Sequence, residues 1–287
     1  MTLPDVAGID ALLRELLALI ERSINEGSRV GYFGCLYARV TVAIRQAILN
    51  GAFNDGEAVA RLDVAFARRY LTAVAQFRSG DPAVVATISR PWSLALEATQ
   101  RADLSVVQHL ALAMNAHINF DLGVATFESF ASPDLPGARA DFTKVNDILE
   151  SVVGELELEI ARVSPVLRFI GRLSGSLATL VIDFGLAEAR AFAWRFAEIL
   201  AATPPALRPA LMEDKAREVA FLCAAITQDP IRNGAFAIIA AAEVKDVRRV
   251  IRTLDRGLVP SPAGAAAARS APGWGRRWGL GIRRPRF

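Results

Sequence analysis

Apolar residues recur at three- and four-residue spacing along almost the whole chain, and strict alternation over strand lengths is scarce. That pattern predicts an all-α fold with helices near residues 7–26, 30–50, 57–78, 103–131, 139–163, 175–201, 206–227 and 230–256. Turn and capping residues next to helix breakers mark the ends, as in Asn54-Asp55-Gly56, Ser79-Gly80-Asp81-Pro82, Ser164-Pro165, Thr203-Pro204-Pro205 and Asp229-Pro230. No Pro/Gly/Ser-rich linker interrupts the pattern before residue 259. The expectation is one orthogonal bundle of about eight helices over 1–258. Residues 259–287 carry no periodic apolar face and read as a flexible Pro/Gly/Ala/Arg-rich tail, in which Trp274, Trp278 and paired arginines offer a grip on an anionic surface.

Composition narrows the class. With 53% hydrophobic and 22% charged residues, the 287-residue chain can bury a large core. A mean hydropathy of +0.30 raises the question of a membrane span. A span needs about 20 consecutive apolar residues, and the longest candidates, 174–182 and 235–244, are too short and flanked by charge. The first helix is interrupted by Glu15, Glu21 and Arg22 and reads as amphipathic rather than as a signal peptide. Two cysteines, Cys35 and Cys223, lie in apolar helical patterns, which argues for core residues in a reducing, cytoplasmic setting and against a disulfide framework. The net charge of +3 is concentrated in the tail, where Arg269, Arg276, Arg277, Arg283, Arg284 and Arg286 lie, so no nucleic-acid partner is expected for the helical body.

One helix breaks the pattern. Between Leu104 and Phe127 the chain is apolar enough for the centre of a core, yet it carries Gln108, His109, Asn115, His117, Asn119 and Asp121, including both histidines of the protein. A buried polar group without a partner costs about 1–3 kcal/mol, so each of these requires one. Helical geometry puts Gln108, His109, Asn115 and Asn119 on one arc, with His117 and Asp121 one turn apart on another. A carboxylate four residues from an imidazole can fix its tautomer and raise its pKa, which suits proton transfer or a metal. The same pair also serves as a buried structural ion pair, and both readings stay open.

The run from His109 to Gly123 resembles the signature of a family of helical bacterial proteins of unknown function, with the core Asn-Ala-His-Ile-Asn-x-Asp-Leu. Similarity extends outward through residues 61–71, 141–149 and 188–194 and covers roughly 30–255. The resemblance implies a fold and a site but no activity. It brings in further candidates for binding substrate beside His109, Asn115 and Asn119: Asp63, Arg69 and Tyr70 from one helix, Asp141 and Asn146 from another, Arg190 and Trp194 from a third. Phe120 departs from the polar or aliphatic residue of similar proteins and suggests a change in pocket lining.

Several chemistries are excluded. Two histidines are too few for a three-metal phosphoesterase, and neither has a glutamate three residues before it, as ferritin-like di-iron sites require. There is no phosphate-binding loop and no nucleophile elbow. Asp147, Ser151 and Glu155 have the spacing of the second metal motif of class I terpene cyclases, but the aspartate-rich motif is missing. The sequence therefore predicts an enzyme without a redox cofactor, of lyase, isomerase, cyclase or hydrolase type. It would hold a largely apolar substrate between helices and use His117 with Asp121 for acid/base catalysis. The alternatives are a non-catalytic binding or scaffold module with a buried polar network, and an enzyme assisted by a single divalent metal held by His117 and Asp121 or an atypical protein similar to class I terpene cyclases.

Overall fold

A computed structural model describes residues 6–130, 135–167, 186–227 and 230–256. Among these residues the regular structure is helical and there is no strand, as the periodicity predicts. The elements are α1 (Ala7–Glu26), α2 (Val30–Leu49), α3 (Gly56–Ser79), α4 (Pro82–Val85), α5 (Arg90–Ala98), α6 (Val106–Ala116), a π-helical turn (His117–Asp121), α7 (Leu122–Ser129), α8 (Leu135–Val163), α9 (Leu186–Ala202), a 3₁₀ turn (Pro205–Leu207), α10 (Arg208–Thr227), α11 (Pro230–Ala242) and α12 (Val247–Asp255). None of the described helices is long and apolar enough to cross a membrane. The tail 259–287 and the predicted residues 175–185 lie outside the described residues.

The elements form where the sequence supplies both a face and an end. α1 buries Ile9, Leu12, Leu13, Leu16, Leu19 and Ile20 and stops at Gly27, whose φ of 67° a side chain would resist. α2 follows at once and is buried over nearly its whole length from Val30 to Thr41, because α1, α3, α6, α8 and α12 all pack on it. Asp55 caps α3 by accepting from Ala58 N at 2.8 Å.

Two predicted helices divide. The predicted 230–256 segment breaks after Ala242. There the buried Glu243 carboxylate turns inward to accept from Val106 N at 2.9 Å, Val244 N bonds Val163 O, and Asp246 caps α12 through Arg248 N and Arg249 N. The predicted 103–131 segment is interrupted by the π turn, in which Leu122 N reaches back five residues to His117 O. One extra residue in the ladder rotates α7 relative to α6 by about 100°. α6 thereby faces α2, α5 and α10, while α7 faces α3 and α9. At Gly123 the approach of α9 is so close that an added Cβ would lie 2.9 Å from the Ala193 carbonyl oxygen.

Candidate functional site

The polar residues of α6 and the π turn separate into two groups with different partners. Ser105 and Gln108 form a reciprocal cap at the start of the helix, and Gln108 Nε2 also donates to Ile226 O at 3.1 Å. Asn115 Nδ2 donates to Val219 O at 3.0 Å and lies 3.3 Å from Cys223 Sγ, while Asn119 Nδ2 donates to Asn115 Oδ1 at 2.8 Å. These side chains fasten α6 to α10. His109 lies edge-on to Tyr32 with centroids 5.9 Å apart, and burial lowers its pKa to about 4, so it is neutral at pH 7.

The π turn carries the second group. Asp121 is 1% exposed, and its carboxylate accepts from three sources. Arg69 Nε donates to Oδ1 at 2.9 Å, Trp92 Nε1 donates to Oδ2 at 2.5 Å, and His117 Nδ1 lies 3.3 Å from Oδ2. Arg69 continues the chain outward to Glu128 at 3.5 Å. His117 is enclosed by rings: Phe66 stacks on it at 3.5 Å, while Tyr37, Phe33 and Trp92 meet it edge-on at 4.8, 5.4 and 5.9 Å. Burial lowers the His117 pKa, and the hydrogen bond and charge of Asp121 oppose that shift without reversing it. The net direction is opposite to the rise that the His/Asp spacing alone suggests. A neutral His117 donates Nδ1–H to Asp121 and leaves Nε2 as a lone-pair acceptor, with no hydrogen-bond partner among the described residues.

His117 lines a cavity of about 70 Å³. That is more than the roughly 10–15 Å³ a single water needs and well below the roughly 300–1,000 Å³ of ordinary ligand pockets. α2, α3, α6, α8 and the π turn build its walls, with Leu36, Val40, Val59, Leu62, Met114 and Ile118 among its apolar lining. Asp63, Tyr37 and Arg190 also line it. Asp63 occupies a position of α3 that its apolar repeat turns inward, between Val59 and Ala67. Its Oδ1 accepts from Tyr37 Oη at 3.3 Å. Its Oδ2 has no well-formed hydrogen bond, although the Thr41 hydroxyl lies close enough to Asp63 to lower the pKa. Burial outweighs both neighbours and raises the Asp63 pKa to about 7. His117 Nε2 and Asp63 Oδ2 both lack a well-formed hydrogen bond on side chains lining one apolar cavity, and a buried polar atom left fully unsatisfied costs about 1–3 kcal/mol.

The remaining candidates fall elsewhere. Tyr70 is buried against the His117 rings and donates to Val30 O at 3.2 Å. Asp141 holds the turn before α3, accepting from Asn54 N, Asn54 Nδ2 and Asp55 N at 2.9, 3.1 and 2.8 Å. Trp194 packs on Phe142 and donates to Glu198 at 2.7 Å. Phe120 lies under the Arg69 guanidinium and packs with Val124, Phe196 and Leu200, away from the cavity lining. Asp147 is exposed, and the side chains of Asn146, Ser151 and Glu155 lie outside the described residues. No group of three or more His, Cys, Asp or Glu side chains converges as a metal set among the described residues. The Asp121 oxygens face an arginine, an indole N–H and an imidazole, donors that compete with a cation for the same lone pairs.

Trp92, Phe33, Tyr37 and Phe66 are essential to this geometry, and the sequence reading overlooks them. Trp92 stands on α5, a short helix opened by Pro91 whose nine residues are too few for a periodic signal. Phe33 and Tyr37 do leave one, an aromatic pair at i, i+4 in a segment without charge until Arg39.

Comparison with curated proteins and with solved structures gives no match. The pattern of one family covers residues 9–229, which takes in α1 through α10 and the whole cavity lining and leaves α11 and α12 outside. The chain belongs to that family, a family of unknown function (DUF5995).

Proposed function

We propose that this member of DUF5995 is an enzyme that encloses a small, largely apolar substrate between α2, α3, α8 and the π turn and works on it with His117 as general base. The observation that carries this reading is the unpartnered Nε2 of a neutral, buried histidine lining an apolar cavity, with Nδ1 committed to Asp121. Asp121 sets the tautomer and stabilises the imidazolium formed when Nε2 takes a proton, and Arg69 and Trp92 hold Asp121 in place. The reaction class is a lyase, isomerase, cyclase or hydrolase step in which protons move and no redox cofactor participates. Interruption of a core helix by a π turn at these residues supports a site rather than simple packing. Two free, buried cysteines support a reducing, cytoplasmic setting.

The test is untargeted mass spectrometry of a cell extract of small metabolites incubated with wild type and with His117→Gln. A compound consumed by the wild type and spared by the variant is expected. Equal consumption by both proteins would sink the role of His117.

A second reading has its own support. Phe66 covers one face of the imidazole at 3.5 Å and every oxygen of Asp121 is engaged, as in a purely structural network within a binding or scaffold module. It predicts that the same variant loses stability while the wild type consumes nothing.

A further inference from the structure

Resting on the proposal that the cavity admits a substrate, its polar atoms say what kind. The walls are hydrocarbon and aromatic, so the body of a ligand there is apolar. His117 Nε2 and Asp63 Oδ2 then bear on its polar group. His117 Nε2 can only accept, because the ring proton is committed to Asp121. Asp63 Oδ2 is the carboxyl oxygen that Tyr37 does not occupy. Both belong to side chains more than nine-tenths buried, and they come from different helices, α3 and the π turn.

We infer that Asp63 is the second polar contact of the cavity and that the ligand is a compact apolar alcohol, its hydroxyl donating to His117 Nε2 and meeting Asp63 Oδ2. A hydroxyl gives a donor to the imidazole and keeps lone pairs for the carboxyl group, which an ether, a ketone or a carboxylate cannot do. The burial that favours the protonated form of Asp63 makes that carboxyl a donor in its turn. A hydrocarbon leaves both atoms orphaned. A carboxylate supplies no proton to Nε2 and leaves that atom unsatisfied.

Benzyl alcohol, toluene and benzoate share one ring and differ in this group, so their affinities for the full-length protein, measured by calorimetry, decide the matter. Benzyl alcohol is expected to bind at least about tenfold more tightly than toluene or benzoate, one satisfied buried hydrogen bond being worth about that factor. Asp63→Leu is expected to bring benzyl alcohol down to the level of toluene and to leave toluene within about threefold of its wild-type affinity. Should that variant fail to fold, the wild type labelled with nitrogen-15 histidine gives the answer: benzyl alcohol moves the Nε2 resonance of His117 and toluene does not. Toluene equal to the alcohol, benzoate tightest, or an alcohol preference that survives Asp63→Leu would overturn this inference and leave the enzyme proposal standing. Failure of all three to bind at millimolar concentration would overturn both.

Discussion

Replacing Asp63 with asparagine removes one ionisable group and almost nothing else. The amide keeps the shape of the side chain and a carbonyl oxygen for the Tyr37 hydroxyl. An ordinary aspartate titrates near 3.8, whereas burial raises Asp63 to about 7. Between those values the folded protein holds a proton that the unfolded chain has released, so stability falls as pH rises from about 4 to about 7, and the loss is complete above that range. At 1.36 kcal/mol per pH unit the loss has a ceiling of about 4 kcal/mol. Burial lowers the pKa of His109 and of His117, so both weaken the fold as pH falls below the ordinary histidine value of 6.5. That contribution is common to wild type and variant and cancels in their difference. Urea unfolding of both proteins, followed by tryptophan fluorescence from pH 4 to pH 8, should give stabilities within about 1 kcal/mol of each other at pH 4. Toward pH 8 the asparagine variant should gain progressively, by up to about 4 kcal/mol. A difference that stays constant across the range would refute the argument that Asp63 holds its proton in the fold.

Other substitutions test the packing and the polar network. Asp121→Ala strips the acceptor from Arg69, Trp92 and His117 and leaves buried donors unpaired, so unfolding should show a loss of about 3–5 kcal/mol. Asp121→Asn, which keeps an acceptor for Trp92, should lose clearly less, and equal losses would show that the network does not depend on the charge. Gly123→Ala places a methyl group 2.9 Å from the Ala193 carbonyl oxygen and from Phe196, and should cost about 1–3 kcal/mol in the same assay by forcing α7 from α9. Asp246→Ala removes the cap of α12 and should cost about 1 kcal/mol; an unchanged midpoint would mean that packing alone holds α12 on α2.

Much of the fold was legible in the chain because the signals that define it are local. The three- and four-residue spacing of apolar positions places α1, α2 and α3 within a residue or two of their ends. The concentration of polar residues in a core-grade helix identified His117 and Asp121, since an apolar helix tolerates such groups only where partners wait for them. The same signal could not say which polar residues would meet a cavity and which a neighbouring backbone. Asn115 and Asn119 look as eligible as His117 in sequence, yet Asn115 joins α6 to α10 through a carbonyl and a thiol roughly a hundred residues away, and Asn119 donates to Asn115.

What the sequence determined by itself was therefore the helical class, the amphipathic faces and the helix that carries the buried polar residues, all consequences of periodicity and burial cost along one stretch of chain. Tertiary structure alone decided the rest. Continuous periodicity hides the π turn, which is visible only in the hydrogen-bond ladder. Trp92 is needed because an indole N–H from α5 reaches a carboxylate 29 residues on. The direction of the His117 and Asp63 pKa shifts follows from desolvation by aromatic and aliphatic side chains of several helices, and that environment exists only once those helices are packed together.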